Sequence, residues 1–155
     1  MMLRDEIGVA LKQAMRDRAA GRLSTLRLIM AAIKDRDIAA RAGGEDNAGV
    51  DEAEILSILA KMVKQRHESA KTYEEGGRLD LAERETFEIG VIEEFLPKQL
   101  TDIEVAEAVR SAVAETGATS IRDMGKVMGT LKSKFTGQMD FGKIGPMVKD
   151  QLNQS

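Results

Sequence analysis

Six lysines and arginines lie close together near the end of this 155-residue sequence, where they could bind an anion. They are Arg122, Lys126, Lys132, Lys134, Lys143 and Lys149. Only Asp123 and Asp140 oppose them between residues 121 and 149, so six positive and two negative charges leave the segment at +4, whereas the whole chain is at −3. Positive charge concentrated in one part of an acidic chain indicates a polyanionic partner.

The residue types give little support to catalysis. The chain has one histidine, His67, and no cysteine, which excludes a histidine-rich metal site, a zinc–thiolate site and a thiol nucleophile. His67 lies in a charged helical turn and is interpreted as a solvated surface residue. The carboxylates at residues 83–85 and 93–94 are interpreted as exposed helix faces rather than acid–base pairs. We expect no catalytic residue, no bound metal and no cofactor.

Two glycines of the basic segment, Gly125 and Gly129, suggest a second kind of anion site, in which backbone groups near glycine contact a phosphate. They lack the spacing of a phosphate-binding loop or a dinucleotide fingerprint, and no predicted strand precedes them. Because they are four residues apart, they fall on one helix face, where the missing side chains let another backbone approach. This face predicts either helix packing, the commoner use of small residues, or docking of a sugar-phosphate backbone. The methionines nearby, among them Met124 and Met128, are interpreted as core residues, with an adaptable contact surface as the alternative.

Helices must position these residues, because the composition favours almost no other element. Aromatic residues make up 3% of the chain, tryptophan is absent, and aliphatic residues recur at helical spacing. The first apolar stripe predicts a helix that starts near Leu3 and stops at Gly21. A second helix is predicted to end near Arg41, and the glycine-rich residues 42–49 predict a loop.

Two further helices are predicted before Pro97. Asp51, with Glu54 three residues later, predicts the N-cap of the third helix, and the glycines at residues 76–77 predict its end. The fourth helix is predicted from Leu79 to about residue 94 and forms an antiparallel hairpin with the third. Its predicted buried residues are Leu79, Ile89, Ile92 and Leu96.

Pro97 is predicted to divide the chain into two domains, residues 1–96 and residues 97–155. Proline lacks a backbone donor and restricts the residue before it, so a hinge is expected there. The fold class is therefore all-α, with N-terminal antiparallel helical hairpins forming a bundle and a small C-terminal three-helix unit.

The helices of the C-terminal unit are predicted from their caps. Capping boxes that begin at Thr101 and Ser120 open the first two helices, Gly117 and Gly137 end them, and Asp140 caps the last. A proline beyond the first turn removes a helical hydrogen bond. Pro146 therefore predicts a late start for the last helix, near Gly145.

Five stretches of the sequence are similar, in order, to motifs of the GatB/YqeY family. They are residues 25–34, 64–70, 77–82, 95–100 and 123–129. The chain most resembles the free-standing YqeY-like proteins, which correspond to the C-terminal tail of the B subunit of the glutamine-dependent tRNA amidotransferase. In that enzyme a similar helical tail contacts the outer, D-loop side of a misacylated tRNA. The resemblance thus implies tRNA as the polyanion and translation as the process.

The resemblance does not imply a reaction carried out by this chain alone. In the amidotransferase, a larger domain of the B subunit activates the substrate with ATP, and a separate amidase subunit supplies ammonia. At 155 residues we expect neither here, so carbon–nitrogen ligase activity with glutamine would belong to the chain only by association with the whole enzyme. The turn at residues 137–142, followed by Pro146, departs from the family's usual glycine-rich, acidic turn, and leaves the geometry of a terminal anion-binding surface open.

The main hypothesis is a non-catalytic module that binds tRNA by shape and phosphate contacts through the six cations. No aromatic stacking platform accompanies them, so sequence-specific reading of a single strand and a preference for DNA are not expected. Arg27, Lys34, Lys64 and Arg66 could add a second surface, but nineteen acids against fifteen lysines and arginines through Leu96 favour ordinary solvated charge. The competing hypothesis is a protein-interaction adaptor, and the third is an accessory factor in amide transfer to tRNA.

Sequence also bears on location. No apolar run reaches the length of a signal-peptide core or a membrane span, and cysteine is absent, as suits a reducing compartment. We expect a cytoplasmic protein with no membrane partner.

Overall fold

The computed structural model describes residues 2–43 and 49–153. Within them it has seven α-helices, one 3₁₀-helix and no strand, which confirms the all-α prediction. The helices are α1 (Leu3–Arg16), α2 (Ala20–Ala42), α3 (Glu52–Glu75), α4 (Leu79–Glu93), α5 (Asp102–Thr116), α6 (Met124–Lys134) and α7 (Phe141–Asn153), with the 3₁₀-helix Ile121–Asp123 before α6. The predicted loop at residues 42–49 lies mostly outside the described residues.

The chain divides into two compact units, unit 1 of residues 1–96 and unit 2 of residues 97–155. Unit 1 contains α1 to α4, and unit 2 contains the 3₁₀-helix and α5 to α7. That the two units fold independently, with a hinge at Pro97, stays a prediction.

The aliphatic stripes of the four helices of unit 1 meet in one core. Ile7, Ile29, Leu59 and Ile92, one from each helix, are 0% exposed. Burying each of these side chains stabilises the fold by about 1.5–3 kcal/mol. The predicted hairpin is present, because α3 and α4 are joined by the short turn at residues 76–78 and pack along each other.

A polar cluster ties the start of α1 to α2 and to the residues that lead into α3. Arg4 donates from Nη1 and Nη2 to the Asp37 carboxylate, at 3.0 and 2.6 Å. Asp37 Oδ1 also accepts from the Val50 N–H at 2.8 Å. The Arg4 guanidinium and this N–H together hold the pKa of Asp37 below its ordinary value, because both stabilise the carboxylate.

Two details of unit 1 differ from prediction. The helix expected to run to Gly21 ends at Arg16, because Arg18 takes a left-handed φ of 53° and α2 begins at Ala20. Gly21 therefore lies inside α2, where a Cβ would meet the Phe87 ring at 3.1 Å. Leu79, predicted to be buried, is 63% exposed, because it is the first residue of α4 and lies ahead of the buried stripe.

The caps predicted from sequence are confirmed. The Asp51 side chain accepts from the Glu54 N–H at the start of α3. Thr101 and Glu104 form a reciprocal capping box at the start of α5, and Gly117 ends that helix with a left-handed φ of 66°. Such caps pair backbone groups that a helix end leaves without partners.

The prediction for Pro146 is wrong. Helix α7 begins at Phe141, where Asp140 Oδ1 accepts from the Gly142 N–H at 3.0 Å, and Pro146 lies inside the helix. A proline there removes the hydrogen bond to the residue 142 carbonyl and crowds the residue before it. That preceding residue is Gly145, which has no side chain to clash, so the helix continues.

Candidate nucleic-acid interface

Helix α6 carries the candidate site. The start of this helix is held by hydrogen bonds from backbone N–H groups to the Asp123 carboxylate. Asp123 Oδ2 accepts from the N–H groups of Thr119 and Ser120, at 3.0 and 3.4 Å, as predicted for a capping box. These N–H groups and then the nearby Lys126 lower the pKa of Asp123. Val127 and Leu131 on the other side of α6 are fully buried in the core of unit 2. The remaining face of α6 therefore points to solvent.

The turn before α7 is held by the segment that follows Pro97. The Leu100 N–H donates to the Gln138 carbonyl at 2.9 Å, and the Gln99 amide donates to the Gly137 carbonyl. In return, Gln138 Nε2 donates to the Lys98 carbonyl at 3.2 Å. The sequence predicted a domain boundary at Pro97 but not these hydrogen bonds.

The solvent-facing side of α6 forms an open groove. Two rows of residues spaced by four line it: Gly125, Gly129 and Ser133 in one row, and Lys126, Thr130 and Lys134 in the other. We call this surface the α6 groove. Residues spaced by four stack on one helix face, so each row runs along the helix for about 12 Å.

The two glycines leave open space and take no part in helix packing. A Cβ built on Gly125 or on Gly129 would meet no heavy atom within 4 Å, and both residues are exposed. The sequence allowed two interpretations of these glycines, helix packing or docking of a sugar-phosphate backbone. Among the described residues no other helix packs against them, so the first interpretation is wrong. The docking interpretation stays a prediction.

All six predicted cations are exposed, but they do not form a single patch. Lys126 lies at the centre of the solvent-facing side of α6, with Lys132 and Lys134 toward its opposite edges, as their helical spacing dictates. Arg122 precedes them on the 3₁₀-helix. The remaining two, Lys143 and Lys149, lie on α7 and do not line the α6 groove.

The six predicted cations differ in whether they already form an ion pair with a carboxylate of the protein. Lys134 forms an ion pair with Glu115 of α5. The other five predicted cations form no ion pair with a residue in the described part of the chain. A phosphate could therefore bind them without displacing an ion-paired carboxylate of the described residues, although Lys126 lies close enough to Asp123 to lower its pKa.

The possible second surface on unit 1, formed by Arg27, Lys34, Lys64 and Arg66, also includes a cation that is already paired with a carboxylate. Arg66 Nε donates to Glu88 at 2.8 Å, and its Nη1 donates to the Met62 carbonyl, so this arginine joins α3 to α4. Arg27 and Lys34 are exposed on α2. His67 is also exposed, which confirms the interpretation of a surface residue.

Sequence reasoning missed two groove residues, Thr130 and Ser133. Their hydroxyl groups stand beside the glycines and lysines of the α6 groove. The signal was present, because each lies four residues after a residue already singled out, Lys126 or Gly129.

A family model supplies the identity that the motifs suggested. The model described as "Yqey-like protein" matches residues 4–152. The chain belongs to this family. The match covers all seven helices except the ends of α1 and α7, so the YqeY-like resemblance is confirmed across both units.

Curated relatives of this YqeY-like chain are named "Altered inheritance of mitochondria protein 41, mitochondrial". The protein from Meyerozyma guilliermondii is 38% identical over 86 residues, 56% of this chain and 42% of the relative. Those from Clavispora lusitaniae and Candida glabrata are 34% identical over 94 residues and 33% over 105, covering 61% and 68% of this chain and 51% and 54% of theirs. The chain thus spans about half the length of the curated relatives it matches.

These names correct the expected location. We predicted a cytoplasmic protein, whereas the curated relatives are named as mitochondrial. The lack of an apolar signal core does not argue against a mitochondrial location, because mitochondrial transit peptides are amphipathic and arginine-rich. Among the described residues, no helix has the length and apolar character to span a membrane.

Proposed function

We propose that unit 2 is a non-catalytic module that binds folded RNA, specifically tRNA, through phosphate contacts and shape. The observation that carries this proposal is the α6 groove, where Lys126 lies without an ion-pair partner among the described residues, beside two glycines with open space above them. Membership of the YqeY-like family supports the choice of tRNA through the similarity to the amidotransferase tail.

The α6 groove has the groups that a phosphate backbone needs. A glycine without a Cβ lets a sugar-phosphate strand lie close to the helix. The hydroxyl groups of Thr130 and Ser133 can donate hydrogen bonds to phosphate oxygens, and Lys126 supplies positive charge. Each phosphate neutralised by a cation releases counterions, so the affinity should depend on salt.

Shape, rather than base identity, is the basis proposed for selectivity. The residues that line the α6 groove include no aromatic side chain on which an unpaired base could stack. Phosphates alone are common to RNA and DNA, so only the geometry of a folded RNA can favour it over a DNA duplex.

A tRNA-binding titration with the full chain at about 50 and 200 mM salt tests the proposal. About four phosphate contacts predict a loss of affinity of roughly a hundredfold over this range. A mixed-sequence DNA duplex should fail to displace the tRNA at equal concentration. Failure to bind tRNA at the lower salt would overturn the proposal, and equal competition by the duplex would overturn its shape-based part.

The non-catalytic part of the proposal has its own test. The chain would be incubated with glutamine, ATP and misacylated tRNA, and the aminoacyl group would be analysed for amidation. We expect no amidated product above a reaction without the chain. Product that depends on the chain would instead support an enzyme that takes part in amide transfer.

A further inference from the structure

We propose that a cleft between α5 and α6 binds a basic amphipathic helix of a protein partner. The cleft lies within unit 2, has a volume of about 300 Å³, and is separate from the α6 groove except for Lys134, which borders both. We call it the acidic cleft. The proposal does not depend on RNA binding.

The floor of the acidic cleft is apolar and formed by small residues. Ala108 and Ala112 of α5 line it and are buried, as is Leu131 of α6, and Phe135, which follows α6, adds to the apolar lining. Because alanine side chains are short, they leave a depression along α5 that larger neighbours border. Apolar side chains of a partner would be removed from water there, which favours binding.

The rim of the acidic cleft is negative. Glu104, Glu107 and Glu115 line it, against one cation, Lys134. Glu104 accepts from the Thr101 N–H in the capping box, and Glu115 is paired with Lys134. Glu107 is exposed and has no hydrogen-bond or ion-pair partner among the residues that the structure describes. This rim repels phosphates and attracts lysine or arginine, so the occupant differs from an RNA.

The length of the acidic cleft fits a helix of about three turns as the occupant. Cleft residues recur from Glu104 through Ala108 and Ala112 to Glu115, a stripe about 16 Å long. Three helical turns span that length. A helix that lies in such a groove inserts apolar residues spaced by three and four, with lysines or arginines on its flanks facing the glutamates.

The test uses a synthetic amphipathic helical peptide of about 15 residues, or four turns, with leucines on one face and lysines on both flanks. A second peptide has glutamate at every lysine position. Each is titrated into the full, ¹⁵N-labelled chain and followed by NMR. The basic peptide should shift the amide signals of residues 104–115, and the acidic peptide should not.

Charge variants of Glu107 test whether the basic peptide binds in the acidic cleft. Glu107→Lys should weaken the basic peptide about tenfold, and Glu107→Gln, which keeps the size of the side chain, by less. Glu83→Lys on α4 makes the same charge change on an exposed residue of unit 1 and should leave binding unchanged. Circular dichroism verifies that each variant is folded.

Several results would overturn the proposal. One is equal binding of the acidic and basic peptides, or no binding of the basic peptide at millimolar concentration. Another is binding that shifts the cleft signals but is unaffected by both Glu107 variants. Cleft signals that move with the concentration of the chain alone would show that a second copy, rather than a basic partner, occupies the cleft.

Discussion

The two units differ in how far their cations join one helix to another. In unit 1, four arginines each reach a carboxylate on another part of the bundle: Arg4 with Asp37, Arg22 with Glu94, Arg36 with Glu54, and Arg66 with Glu88. In the described part of unit 2, the ion pair is Lys134 with Glu115, and the cations of α7 and the start of α6 have none. Charge that joins helices stabilises a fold, whereas charge without an internal partner is available to a ligand.

The ion pairs of unit 1 also differ in how much of their side chains is exposed to solvent. The side chains of Arg66 and Glu88 are 15% and 19% exposed, whereas those of Arg36 and Glu54 are 51% and 42% exposed. Exposed pairs contribute at most about 1 kcal/mol, while breaking a buried pair leaves an uncompensated charge out of water. Net charge alone therefore does not reveal which cations serve a fold and which serve a partner.

Reversing charge in the two units should have unequal effects on tRNA binding. Lys126→Glu combined with Lys132→Glu should lower the affinity for tRNA about a hundredfold, because two phosphate contacts become repulsive. Arg27→Glu combined with Lys34→Glu makes the same change of charge on exposed α2 residues and should have little effect. Affinities are measured by titration of the full chain. Wild-type affinity in the first variant, or equal loss in both, would contradict the difference between the units.

Removing Glu88 should destabilise unit 1 without affecting tRNA binding. Glu88→Ala leaves the half-buried Arg66 without its carboxylate, which should lower the free energy of unfolding by about 2 kcal/mol. Arg78→Ala, which breaks the exposed pair with Asp80, should cost clearly less. Urea unfolding gives both values. Equal losses would show that burial of the pair does not matter here.

The Asp37 cluster should make unit 1 sensitive to acid. Because Arg4 and the Val50 N–H lower the pKa of Asp37 in the folded chain, its stabilisation is complete above its ordinary value of 3.8 and is lost as the pH falls through the lowered pKa. Asp37→Asn should cost about 1.5 kcal/mol at pH 7, and the difference from the wild type should shrink below pH 4. Urea unfolding at several pH values measures this.

Asp35→Asn provides the control for this pH dependence. Asp35 is an exposed neighbour on α2 without an ion pair among the described residues, so its replacement should change stability little at either pH. A deficit of Asp37→Asn that stays constant from pH 7 to pH 3 would contradict a role of its ionised carboxylate.

Alanine at the groove glycines should separate stability from binding. Gly125→Ala with Gly129→Ala should stabilise unit 2 by about 1 kcal/mol, because alanine favours helix and finds open space, yet should weaken tRNA binding several-fold by adding bulk. Gly90→Ala on α4, also with open space, should add stability and leave binding unchanged. Undiminished tRNA binding by the double variant would exclude close approach of the strand.

Local features of the fold were predictable from sequence, and long-range ones were not. Asp51, Thr101 and Gly117 were assigned correctly because a cap depends on residues a few positions apart. Gly21 was misassigned because its role, close contact with Phe87, involves a residue far along the chain. Pro146 was misassigned because the permissive residue before it, Gly145, was given too little weight.

The candidate site was predictable in its composition but not in its electrostatics. The six cations and two glycines are evident in the sequence, and the spacing by four that adds Thr130 and Ser133 could have been used. The ion pair of Lys134 with Glu115 joins residues on different helices, and nothing in the order of residues predicts it. A carboxylate partner becomes visible only once the helices are packed.

An NMR footprint of tRNA on the ¹⁵N-labelled full chain would test most directly the claim that unit 2, and not unit 1, offers its cations to RNA. Added tRNA should shift or broaden the amide signals of Gly125, Gly129, Thr130 and Ser133, while those around Arg27 and Lys34 stay in place. Perturbations centred on α2 or α3, with the α6 groove unchanged, would contradict the account.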